Sequence, residues 1–141
     1  MAIAHEAIFI DRPEELASDT SPEWLFWRHA IEWATEKYGS FDGFVSLPTT
    51  SSLCSVEDVE SAIAKRVTAG ADICISVTSP SRSPYFNMVK KNADVSVELV
   101  NMPDGEVARH QDAPEVFDIT TVVYATTPTL VLQNTVYLQE K

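Results

Sequence analysis

The sequence predicts an α/β domain, and three observations carry the prediction. Phe44 to Tyr85 reads as strand, helix and strand joined by tight turns. The helix before that stretch places Trp24, Trp27, Ile31, Ala34 and Tyr38 on one face. The segment after it is rich in β-branched residues. A strand–helix–strand unit with short connections implies a parallel pair with a right-handed crossover, and in such sheets ligands bind beyond the carboxyl ends of the strands. Here those ends are the Pro48–Ser52 and Ser79–Tyr85 loops.

In chain order, Met1 to Ala7 is short and weakly helical, Ile8-Phe9-Ile10 reads as a strand, and Arg12 to Ala17 as a turn with one helical turn. Ser21 is the expected cap of a helix with Pro22 at its first position, where a missing N–H costs nothing. Trp24, Trp27, Ile31, Ala34 and Tyr38 share one face of that helix, which Gly39 ends. Asp42-Gly43 turns into the strand Phe44–Leu47, which Pro48 stops. Ser55 with Asp58 three residues on has capping-box spacing for a helix from about Val56 to Ala69, stopped by Gly70. Val56, Val59, Ile63 and Val67 recur at helical spacing and are expected to be its buried stripe. Asp72 to Thr78 is the second strand.

Beyond the unit, Ser79 to Asn87 is a loop, Asn87 to Asn92 is short and polar, and Val95 to Leu99 alternates as a strand. Pro103-Asp104-Gly105 signals a turn. Val116–Ala125 and Leu130–Leu132 are β-rich and form a candidate dimerisation lobe. No internal repeat or low-complexity tract interrupts the chain.

At 141 residues the chain is expected to form a single domain, residues 1–141, with a real core. Its net charge of −11 argues against a nucleic-acid surface, because phosphates are repelled, yet it leaves room for a local nucleotide site. No apolar run approaches membrane-spanning length and no leader is evident, so a cytoplasmic protein with no membrane partner is expected. Cys54 and Cys74 lack metal-site spacing and read as small, buried or half-buried thiols.

Two stretches are candidates for chemistry. Thr49, Thr50 and Ser51 lie where a strand ends and a helix begins, so their hydroxyls and N–H groups suit a sugar or phosphate; the same stretch also reads as an ordinary connection. Arg109, Gln111 and Asp112 form a dense donor and acceptor cluster, suited to a carboxylate or hydroxyls, or equally a solvated turn. His5, His29 and His110 are scattered, and no nucleophile–His–acid pattern exists. No catalytic residue and no metal ligand is assigned.

Taken together, four stretches in order resemble the acylneuraminate (CMP-sialic acid) cytidylyltransferases and their relatives for other nonulosonic acids. They are Arg12 to Trp24, Phe44 to Ile63, Gly70 to Val89 and Arg109 to Ala125. A family loop of QPTSPLR type stands here as Leu47-Pro48-Thr49-Thr50-Ser51-Ser52-Leu53-Cys54, and an RRQDxP-type motif as Arg109 to Pro114. The resemblance implies a nucleotide-diphospho-sugar transferase-like (Rossmann-like) three-layer domain, with a central mixed sheet and a β-rich dimerisation lobe. It implies a homodimer in which a nine-carbon acid sugar attacks the α-phosphate of CTP, giving a CMP-sugar and pyrophosphate with Mg2+ assisting. By the same resemblance, Thr49, Thr50 and Ser51 line the sugar side of the cleft. Tyr85, Arg109, Gln111 and Asp112 approach the sugar or the partner's site. The family's basic glycine-rich phosphate loop and its C-terminal aspartate-bearing metal motif have no counterpart in these residues. The expectation is therefore of a partial domain or a degenerate stand-alone copy, with a non-catalytic fragment or degenerate homologue acting as an acidic interaction protein as the alternative.

Overall fold

A computed structural model of the chain describes residues 7–18, 21–51, 53–101 and 113–133. Among them the fold is mixed α/β: helices α1 (Glu23–Tyr38), α2 (Val56–Ala69) and α3 (Pro128–Gln133), and strands β1 (Phe44–Ser46), β2 (Ile73–Thr78), β3 (Val89–Lys91), β4 (Val97–Leu99) and β5 (Asp118–Thr126). They group into two compact units, 1–76 with 121–141, and 77–120. None of the helices is long and apolar enough to cross a membrane.

The first unit is organised by β5. Its sheet has the order β1-β5-β2, with β1 antiparallel to β5 in the register Phe44↔Thr126, Val45↔Ala125 and Ser46↔Tyr124. The expected parallel β1–β2 pair is therefore corrected, since β5 lies between the two strands. Val123 to Thr126 are buried in succession, so both faces of this end of β5 need cover, and only a central position supplies it. The β-rich stretch assigned to a dimerisation lobe thus gives part of its length to this core.

Period-two alternation divides the sheet residues between two clusters. Tyr124, Phe44, Ile73 and Ile75 pack with Trp24, Trp27 and Ile31 of α1 and Val131 of α3. Val123, Ala125, Val45 and Cys74 pack with Ala62 of α2. Trp27 is the hub of the first cluster, with ring centroids 5.3 Å from both Trp24 and Tyr124 and 5.7 Å from Phe44. The expected α1 face is present through Ile31, but Tyr38, in the last turn, is exposed and sets its ring beside Trp33.

Local signals explain the helix ends. In α2 the Ser55 hydroxyl accepts the Asp58 N–H while the Asp58 carboxylate accepts the Ser55 N–H, the capping box that the spacing predicts. At the far end Gly70 adopts φ 60°, and the Gly70 and Ala71 N–H groups close back on Val67 and Arg66 in a Schellman arrangement. The expected Ser21 cap of α1 is corrected: Pro22 occupies the cap position and no side chain caps this end.

Three further expectations are corrected. Leu130–Leu132 lies in α3, not in a strand; the Leu130 N–H donates to Thr127 Oγ1, so Thr127 followed by Pro128 starts a helix there. Ile8 to Ile10 forms no strand and is instead followed by anchors to α1. His29 Nε2 hydrogen-bonds the Asp11 carbonyl at 3.0 Å, and the Arg12 guanidinium lies 4.0 Å from the Phe26 ring centroid. The predicted buried stripe of α2 is mostly exposed: Val56, Ile63 and Val67 face solvent, while Ala62 is the buried contact. The small Ala62 fits against the sheet where branched side chains would hold the helix away.

The second unit contains the antiparallel β3–β4 pair, with Lys90 opposite Glu98 in an ion pair at 3.2 Å. Its connection holds Val95 at φ 71°, and the Asp94 carboxylate accepts both the N–H and the hydroxyl of Ser96.

Candidate functional site: a cleft at the end of β1

Pro48 ends β1 and opens a turn closed by the Ser51 N–H on the Pro48 carbonyl, 3.0 Å. A second turn, the Cys54 N–H on the Ser51 carbonyl at 3.2 Å, delivers the chain to the Ser55 cap of α2. The Ser51 hydroxyl donates to the Thr121 carbonyl at 2.5 Å and fastens the loop to β5. Between loop, helix and strand lies a cleft of about 380 Å³ lined by Thr50, Ser51, Leu53, Cys54, Asp58 and Val122. Asp58 and Val122 also line an adjoining cleft of about 280 Å³. That second cleft runs along α2 past Ser61, Ala62 and Lys65, over Cys74, Ile75 and Ser76 of β2.

A side-chain hydrogen bond joins the two strands of the floor. The Val123 N–H donates to Ser76 Oγ at 3.3 Å. Asp58 stands where the two clefts meet, its Oδ2 accepting the Ser55 N–H at 3.0 Å and the Ser55 hydroxyl at 2.9 Å. Those bonds hold its carboxyl below the ordinary value, the Ser55 backbone N–H contributing most and the hydroxyl next. Asp58 is therefore a fixed carboxylate with acceptor capacity remaining on Oδ1. Lys65 is the one basic side chain among the described lining residues.

This arrangement is equipped to bind hydroxyl groups and a single charge. The described lining holds no histidine, and among the described residues no three His, Cys, Asp or Glu side chains gather as a metal site. With Asp58 Oδ2 committed to the α2 cap, these residues do not fit the magnesium that the resemblance implies.

Of the sequence-predicted site residues, Thr50 and Ser51 come together on one cleft wall. The Ser51 proton is committed to Thr121, so toward a ligand it acts as acceptor only. Thr49 is exposed in the turn and is not among the lining residues. Tyr85 belongs to the second unit, half-buried, with its N–H donating to Ser83 Oγ at 3.3 Å. Arg109, Gln111 and Asp112 lie outside the described residues.

Cys54 and Cys74 are free, half-buried thiols, as expected, one in each cleft. Sequence reasoning missed Ser61, Lys65 and the second role of Asp58. Their spacing of three and four residues puts them on one helix flank, a signal present in the sequence but overshadowed by the valine stripe. No protein-family model matches this chain, and no curated protein matches its sequence.

Proposed function

We propose that this chain is an acid-sugar-binding domain of the cytidylyltransferase type, serving the CTP-dependent activation of a sialic-acid-like nonulosonic acid to a CMP-sugar. The observation that carries the reading is the cleft at the end of β1. The loop carrying the sequence resemblance places Thr50 and Ser51 on its wall, and its volume falls within the roughly 300–1,000 Å³ of small-molecule sites. The position of α2 against one set of sheet residues and of α1 and α3 against the other supports the three-layer, nucleotide-diphospho-sugar transferase-like reading of the fold. A cytoplasmic homodimer is part of the same proposal, with exposed Phe117 and Ile119 as the apolar surface available for pairing.

Activation of CTP requires neutralising a triphosphate, which magnesium and clustered Lys or Arg ordinarily do. Lys65 alone in the described lining, within a chain of net charge −11, is too little for that. The chain by itself is expected to bind the acid sugar, bind CTP weakly and release no pyrophosphate. Calorimetric titration with N-acetylneuraminate and with CTP plus magnesium, alongside a pyrophosphate assay, is the test. Absence of sugar binding would sink the reading, and tight, metal-dependent CTP binding would place a phosphate site outside the described cleft.

A second reading, an acidic interaction protein, draws on one observation. Leu53, Val56 and Val67 are 97%, 69% and 61% exposed around α2. Sugar binding absent, with self-association seen by sedimentation, would favour it.

A further inference from the structure

We infer that Lys65 anchors the carboxylate of the ligand while Asp58 accepts one of its hydroxyls, so that the joined clefts select a polyhydroxylated monocarboxylate. The inference rests on the acid-sugar reading above and assigns the charge recognition to α2, away from Arg109. Lys65 is exposed on the cleft wall and has no carboxylate partner among the described residues, where the ion pair formed is Lys90 with Glu98. An unpaired cation facing a cleft in a chain of net charge −11 is suited to an anion.

The surroundings limit that anion to one charge. Asp58 lies on the same flank, seven residues earlier and about 10 Å along the helix, and its fixed negative charge repels a di- or triphosphate. A carboxylate held at the Lys65 end stays clear of it. Ser61, one turn before Lys65 on the same flank, lines the groove between Lys65 and Asp58. Ala62, at the buried contact, takes up little of the space between them. Asp58 Oδ1, Thr50 and Ser51 then offer acceptors for hydroxyls along the groove, and Val123, on the α2 face of β5, supplies an apolar floor for the carbon chain. A ligand charged at one end and hydroxylated along its length matches this order of groups.

The experiment titrates the full chain with N-acetylneuraminate and with its uncharged methyl ester, for the parent, Lys65→Gln and Lys65→Arg. Circular dichroism checks that each variant keeps the parent fold. The parent is expected to prefer the acid over the ester by about two- to fivefold, the range of a solvent-exposed ion pair. Lys65→Gln should bind acid and ester alike, and Lys65→Arg should restore most of the preference. If Lys65→Gln keeps the preference, or the parent shows none while still binding both, the anchor is overturned and the sugar-binding reading survives. If the parent binds neither compound, that reading fails and the anchor fails with it.

Discussion

The Thr126 hydroxyl donates to the Asp72 carbonyl at 2.9 Å and ties the last residue of β5 to the residue that precedes β2. Thr126 is buried, so the bond is made away from water and its loss leaves a polar backbone group without its partner. Thr126→Val keeps the shape and removes the donor. It should cost about 1–3 kcal/mol, read as a lower urea midpoint with an unchanged slope.

Trp27 touches Trp24, Tyr124 and Phe44 and is 2% exposed. Trp27→Ala opens a cavity between α1 and the sheet, and truncation of a large buried aromatic costs about 3–5 kcal/mol. An unfolding midpoint equal to the parent's would show that this ring does not hold the first unit together.

Val95 sits at φ 71° in the β3–β4 connection, a region in which a β-branched residue is strained and a glycine is not. Its side chain is exposed, so little packing is lost on replacement. Val95→Gly should therefore raise stability by up to about 1–2 kcal/mol, less the entropy glycine adds to the unfolded chain. A melting temperature lowered by the substitution would count against strain at this position.

The carboxyls of Asp58 and Asp94 both titrate below the ordinary value of 3.8. For Asp58 the Ser55 N–H is the larger cause and the Ser55 hydroxyl the next; for Asp94 the Ser96 hydroxyl leads and the Ser96 N–H follows. A depressed folded pKa means that the folded state favours the ionised form. Its contribution is complete above the unfolded value and is lost as pH falls through the lower folded value. Acid should therefore loosen the start of α2 and the β3–β4 connection, modestly, because both carboxylates face water. In Asp58→Asn the stability at neutral pH should fall and its decline in acid should flatten. A pH profile parallel to the parent's would exclude Asp58 as a source of acid sensitivity.

Local chemistry was readable in the sequence wherever the cause was local. Ser55 with Asp58, and Gly70 after Ala69, fixed both ends of α2, because capping groups bond to backbone within a few residues. The aromatic face of α1 was readable for the same reason, since helical periodicity sets which residues share a side. Thr50 and Ser51 were legible as site candidates because a strand end followed by a helix start is itself a local pattern.

Tertiary structure decided the rest. Which strand takes the centre depends on which needs cover on both faces, and β5 outcompeted β1 through Val123 to Thr126. Which flank of α2 is buried depends on how closely the helix approaches the sheet. Ala62 allows a close approach, so the valine stripe that periodicity favoured is left outside. That choice of flank turned Asp58, Ser61 and Lys65 toward β2 and β5 and made them walls of a cleft, a placement that no spacing rule within the helix can supply.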